Sequence, residues 1–270
     1  MRSFYKAAFV LCLIFGAYFD ASISYAQNSR DQASDDFEAA SREFEKSLKK
    51  LETASNIIDG LGAYRRGDFD LAFQILEPLA TNGNPVAQSW VGIMTQYGQG
   101  VSQDYALALL WYRKAADQNE PLAQSNLGVM YEAGLGVGQD YLLAAAWYRK
   151  AADQGNARAQ SNLGHLFERG LGVPKDYSWA INWYRRAADQ GDQVAQFKIG
   201  VMYYKGQGVP QDYVQAHKWL NLAAAARHPS AAEARDILAS IMTPSQVAEA
   251  QKLAREWKKK EEWSASLGDN

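Results

Sequence analysis

Ser161, His165 and Glu168 stand at i, i+4 and i+7, so a helix would set a hydroxyl, an imidazole and a carboxylate along one face. Those types suit a nucleophile, a base and an orienting acid, the chemistry of a hydrolase acting on cell-wall material. His165 and Glu168 also form a two-ligand metal pair. A catalytic zinc needs three protein ligands beside its open position, and His217 and His228 lie too far along the chain to supply one by local spacing. Ser47-Leu-Lys-Lys50 spells S-x-x-K, but no S-D-N or K-T-G accompanies it and no G-x-S-x-G occurs. Gly134-Leu-Gly-Val-Gly138 is rich enough in glycine to cradle a phosphate. It follows a helical pattern rather than a strand, however, which removes the context a nucleotide loop requires.

What positions all of these residues is a repeat. Trp111, Trp147, Trp183 and Trp219 are 36 residues apart, and a whole cassette recurs around each. Residues 121–156 read PLAQSNLGVMYEAGLGVGQDYLLAAAWYRKAADQGN, and 157–192 read ARAQSNLGHLFERGLGVPKDYSWAINWYRRAADQGD. A fixed period of this size marks stacked supersecondary units, none of which can bury its apolar face alone. Chemistry copied once per unit is frame, since catalysis has no use for four equivalent sites. The recurring aspartates and glycine-rich loops are thereby frame, the lone His165–Glu168 pair reads as a groove or surface polar pair, and the array is one that presents a surface.

Each unit reads as two helices. Helix A carries Ala87, Ala123, Ala159 and Ala195, with Val91, Leu127, Leu163 and Ile199 four residues later. Gly92, Gly128, Gly164 and Gly200 sit inside that helix at a cost of ~1 kcal/mol against alanine, which predicts close contact with helix B. Gly98, Gly134, Gly170 and Gly206 suit αL C-caps. Val101, Val137, Val173 and Val209 are expected to fold the loop back onto the core. Asp104, Asp140, Asp176 and Asp212 are expected to N-cap helix B. Its alanine and the tryptophan three positions later predict that the indole faces helix A.

The remaining segments are irregular. Residues 1–26 resemble a cleavable secretory signal, with Arg2 and Lys6 before an apolar run from Ala7 to Phe19 and Ser24-Tyr25-Ala26 at the cleavage position. Cys12, the single cysteine, lies inside it, so the mature chain is expected to hold no disulfide. Residues 27–56 predict a charged amphipathic leader helix with Phe37, Ala40, Phe44, Leu48 and Leu51 on one face. Residues 57–84 form a shortened unit, 85–228 four full units, 229–257 capping helices and 258–270 a polar tail. Thr243-Pro244-Ser245-Gln246 is a capping box before the last helix, where Leu253 and Trp257 should cover the core. A formal net charge of -2 gives no case for nucleic acid, and no second long apolar run predicts membrane insertion.

Ala123, Leu127-Gly128, Tyr131, Gly134-Leu-Gly-Val137, Asp140 and Trp147-Tyr-Arg-Lys-Ala-Ala152 resemble the Sel1-like repeat family, a relative of the tetratricopeptide repeat. The likeness covers about residues 57–242. Thr95 departs from it at the helix-A aromatic, and Leu220 at the residue after Trp219. It implies an all-α, right-handed α-solenoid whose A helices line a concave groove, and adaptors or regulators that bind proteins. Some members staple each repeat with cysteines, which this chain lacks. Others are periplasmic regulators that hold sensor proteins in check, for example in exopolysaccharide synthesis.

Binding information should sit where the copies differ. On the face of helix A opposite the core stripe, the candidates are Trp90, Ile93 and Tyr97, then Asn126 and Glu132, then Arg158, Asn162, His165, Glu168 and Arg169, then Phe197, Lys198 and Tyr204. Aromatic ends around a polar middle suit an extended peptide or a partner helix. The competing reading has the apolar members packing between neighbouring helices. The expectation is a monomeric, non-enzymatic periplasmic or secreted scaffold with a protein or peptide partner in the cell envelope, no cofactor and no metal. The alternatives are the cell-wall hydrolase and a structural protein that self-associates through the leader or residues 257–263.

Overall fold

The computed structural model describes the backbone of residues 30–268 and the side chains of 38–257. The signal-like segment with Cys12 lies outside the described residues, as do the side chains of Phe37 and Trp263. The described chain is all helix, and it divides into a first unit ending at Ile58 and a second from Asp59 onward. Helix α1 (Arg30–Arg66) runs through both. The leader is therefore part of one continuous helix, longer than the segment its apolar spacing marks out. Local pairs such as Arg42 with Glu38 (3.7 Å) line its first part.

Within the second unit, the last turns of α1 pair with α2 (Phe69–Thr81) across a turn at Gly67. Four hairpins follow: α3 (Pro85–Tyr97) with α4 (Tyr105–Ala116), α5 (Pro121–Ala133) with α6 (Tyr141–Asp153), α7 (Ala157–Arg169) with α8 (Tyr177–Ala188), and α9 (Gln193–Lys205) with α10 (Tyr213–Ala225). α11 (Ala231–Ala239) and α12 (Pro244–Gly268) close the array. The segment after Lys258 continues as helix to Gly268, where a polar tail was the expectation. Each A helix packs on its own B helix and on the B helix before it. Consecutive A helices also meet, α3 with α5 and α5 with α7, and B helices stand further apart, so the A face is the inner one.

The punctuation is the sequence's own. Gly98, Gly134, Gly170 and Gly206 adopt φ between 67° and 72°, and their N–H groups close the A helices. The four recurring aspartates each accept a first-turn N–H, for example Leu107 N to Asp104 at 2.9 Å. Thr243 and Gln246 bond reciprocally at the start of α12. Helix A has its own side-chain caps, Asn84, Glu120, Asn156 and Asp192, which the structure adds to the expected aspartates.

The core adds a residue to the expected contact. The ring lying against the helix-A glycine is the tyrosine after the tryptophan: a Cβ on Gly92 would stand 2.7 Å from the Tyr112 ring. Tyr148 and Tyr184 fill the same hole at Gly128 and Gly164, and Leu220 does so at Gly200. These tyrosines are fully buried. The tryptophan sits at the joint. Trp183 shares a cluster with Ala144, Tyr148 and Ala151 of the preceding B helix and with Ala159, Leu163 and Leu166 of its own helix A, with the Arg149 guanidinium 5.1 Å over its ring. One residue along a helix is a rotation of about 100°, which sets the indole beside the tyrosine, where its own helix A meets the preceding unit.

Glutamines tie the joints. Gln118 Nε2 donates to Gln88 Oε1 at 2.9 Å, Gln154 to Gln124 at 2.7 Å and Gln190 to Gln160 at 2.9 Å. Gln88 and Gln160 in turn donate to the Ala80 and Ala152 carbonyls of the preceding B helix, each at 3.0 Å. These buried amides bind helix A to two B helices at once, so the stacking angle is fixed by directional bonds as well as by apolar contact.

Candidate partner-binding groove

The inner face is built from the A helices with a floor supplied by B-helix tyrosines. The tyrosine that fills each glycine hole is long enough to reach through and present its hydroxyl to the far side of helix A. Tyr112 donates to Gln96 Oε1 at 2.7 Å, Tyr148 to Glu132 Oε2 at 2.6 Å and Tyr184 to Glu168 Oε2 at 2.7 Å. Burial and the adjoining carboxylates push the Tyr148 and Tyr184 hydroxyls well above the usual phenol range, so both remain donors. In the fourth unit Leu220 has no hydroxyl to offer. The matching position, Tyr204, turns outward and stacks on Tyr213 with ring centroids 5.8 Å apart.

Glu168 is the hub of the polar middle. Lys198 Nζ lies 3.0 Å from Oε2, and His165 Nδ1 is 3.9 Å away. Burial alone would raise this carboxyl, but His165, the Tyr184 hydroxyl and Lys198 outweigh it and hold the pKa down at about 2. One unit earlier the balance differs. Arg158 makes only a 3.4 Å contact with Asn126 Oδ1, and among the described residues Arg158, Arg169 and Glu132 have no ion pair. Asn126 is 4% exposed, and its Nδ2 and the neighbouring Ser125 Oγ have no hydrogen-bond partner.

The reason for that gap is one side-chain length. At the preceding joint Ser89 Oγ donates to Glu120 Oε2 at 2.6 Å, while the same carboxylate caps α5 through Ala123 N. At the Ser125 joint the capping residue is Asn156, one methylene shorter. It is taken up by Ala159 N at 2.9 Å, and no bond joins it to Ser125.

The sequence candidates divide accordingly. Tyr97 (57% exposed), Tyr204 (44%), Arg158 and Arg169 stand open to solvent, and Asn162, Glu132 and His165 line the surface half-buried. Trp90, Ile93 and Phe197 are largely packing residues. Trp90 meets Tyr64 edge-on at 4.9 Å, Ile93 lies on the next unit's core, and Phe197 stacks on His228 at 4.2 Å. Asn126 belongs to the seam between α5 and α7 rather than to an open face, because helix A has an A neighbour on each side. Lys198 and Glu168 are committed to each other. Ser161 is buried and makes no hydrogen bond with His165 among the described residues, so the hydroxyl–imidazole pair is not assembled. No group of three His, Cys, Asp or Glu among the described residues is placed to hold a metal. The floor tyrosines are the residues that pattern reading missed, although the recurring Trp-Tyr dipeptide carried the signal.

A family model described as the Sel1 repeat matches residues 85–120, 121–156, 157–192 and 193–228, more than half of the chain. No curated protein matches. Among solved structures, a protective antigen of uropathogenic Escherichia coli displaying an SLR fold is similar at 32% identity and a TM-score of 0.63. That alignment covers 79% of this chain and 48% of the antigen, so this chain spans about half of the antigen's length. A Sel1 repeat protein from Oxalobacter formigenes is 33% identical over 75% of this chain and 84% of its own, with a TM-score of 0.61. A Klebsiella pneumoniae protein, described as a sel1 repeat protein, is 18% identical over 73% of this chain and 98% of its own, with a TM-score of 0.50, and shows the fold alone.

Proposed function

The chain belongs to the Sel1 repeat family, and from that premise we propose that it is a non-enzymatic scaffold that binds a protein or peptide partner along its A helices. We place it outside the cytoplasm, in the periplasm or secreted, on the signal-like character of residues 1–26. There it acts as an adaptor or regulator in the cell envelope. No helix among the described residues is long and apolar enough to cross a membrane.

The observation that carries the reading is the unbalanced middle of the groove. Arg158 and Arg169 are exposed and have no ion pair among the described residues, and they lie between the exposed rings of Tyr97 and Tyr204. A segment laid between Tyr97 and Tyr204 would bring acceptors to these guanidinium groups. The rest of the floor is already fixed by the Gln96, Glu132 and Glu168 bonds, so little ordering cost opposes binding.

The test is crosslinking of the tagged full chain in its native envelope fraction, beside a Tyr97→Ala, Arg158→Glu, Tyr204→Ala variant. All three positions are exposed, so the fold should survive the changes. Loss of one specific partner in the variant is the expected result. Identical partners from both forms would remove the groove from consideration.

A further inference from the structure

The outer face carries an anomaly unrelated to the groove. Leu71, Leu107, Leu143 and Trp179 occupy the same first-turn position of four successive B helices, α2, α4, α6 and α8, and all are exposed. Leu110, one turn after Leu107, is 53% exposed, and Leu142 beside Leu143 is 67% exposed. The row ends at α10, where the equivalent residue is Gln215. None of these leucines is needed to close a joint between units, a task done from the other faces by Tyr112, Tyr148 and the tryptophans.

The surroundings are as informative as the row. The first eight residues of three consecutive B helices, 105–112, 141–148 and 177–184, contain no charged residue, and the first charges arrive only at Arg113, Arg149 and Arg185. The outer half of an exposed helix ordinarily carries charge. An isologous contact sets residue i of the patch on the partner's j and j on the partner's i, so the charge-free stretches of α4, α6 and α8 can lie on their own copies without repulsion, with Asp70 and the capping aspartates at their edge. The six side chains leave on the order of 600 Å² of apolar surface in water, the top of the range for a monomer. Doubled across a twofold contact, that is about 1,200 Å², where specific interfaces begin.

We propose that the outer row of B-helix leucines is the interface of a homodimer. Its occupant is a second copy of this chain. A twofold axis running along the helices between α4 and α6 sets each α4 on the partner's α6, and each Leu71 opposite the partner's Trp179. Leu107 and Leu110 then meet the partner's Leu142 and Leu143 at the centre. The two A-helix grooves are left facing away from each other, each open to its own ligand.

The experiment is sedimentation velocity of the full chain over a wide concentration range, with Leu110→Lys, Leu142→Lys as the comparison and circular dichroism as the check on folding. The proposal expects a dimer that becomes a monomer in the folded double variant. Register is read separately by oxidation in a Cys12→Ser background. Leu71→Cys mixed with Trp179→Cys should crosslink between chains, whereas each alone, or Tyr97→Cys on the inner face, should not. A wild-type chain that remains monomeric at every concentration overturns the proposal. So does a dimer that survives the lysine substitutions, or one in which the mixed cysteines fail to crosslink. If the double variant were to unfold, the crosslinking pattern alone would decide.

Discussion

Gln196 is the one member of the glutamine series whose Oε1 has no partner, and Ala226 stands where the donor should be. Gln118, Gln154 and Gln190 hold that place in the three earlier units. The backbone is not the obstacle, since Ala226 (φ -82°, ψ 8°) matches Gln154 (φ -85°, ψ 4°). Ala226→Gln should therefore add the missing bond at little strain and stabilise the chain by about 1 kcal/mol. A thermal melt should show it as a rise of roughly 2–4 °C in Tm. No rise would mean that water already satisfies Gln196.

Gly128 lies inside helix α5, where alanine would ordinarily gain about 1 kcal/mol. Here the Tyr148 ring occupies the space, with Cε1 2.5 Å from where the new Cβ would stand. Gly128→Ala should instead destabilise by about 2–3 kcal/mol, because the ring must leave the hole and break its bond to Glu132. Urea denaturation of the two proteins measures the sign directly. A gain in stability would mean the tyrosine is loosely held.

The frame was legible because its parts are local. A glycine C-cap, an aspartate N-cap and an alanine at a close approach each act within a turn of themselves, and a 36-residue period repeats the message. What escaped depends on partners far along the chain. Trp147 and Tyr148 are adjacent, so the wheel permits either ring to meet helix A, and only the stacking of units assigns the tyrosine. The glutamine bonds join residues 30 apart, and in isolation Gln124 or Gln154 reads as solvent-facing. Asn126 illustrates the same limit at the site. Treating α5 as a lone helix exposes it, whereas α7 on its flank brings Arg158 to its Oδ1.

Stability should fall in acid through Glu168. Its carboxyl is held down at about 2 in the folded chain against an ordinary value of 4.5, so the folded state binds the proton less readily than the unfolded one. The contribution is fully present above pH 4.5 and is lost as pH falls toward 2. Groove water screens the Lys198 and His165 charges, which limits the effect to about 1–2 kcal/mol rather than the full shift. Glu168→Gln should flatten the stability profile across that window while lowering stability at neutral pH. Melts of both proteins from pH 2 to pH 7 test it, and parallel profiles would refute the assignment.

Arg227 is held at φ 66° in the loop between α10 and α11. The matching loops place Gly83, Gly155 and Gly191 at φ between 82° and 94°, and Asn119 at 64°. Glycine tolerates that region freely and asparagine better than most, and Asn119 also bonds to the side chains of Gln124 and Gln154. Arginine has neither advantage, and its side chain is exposed. Holding it there costs about 1 kcal/mol, partly offset by the greater unfolded-state freedom that glycine would bring. Arg227→Gly should thus stabilise the chain by about 0.5 kcal/mol, measured by urea denaturation. The strained residue directly precedes His228, whose ring stacks on Phe197 at 4.2 Å. If the variant gains stability but loses the groove partner, the strain serves to set that aromatic pair at the end of the binding face.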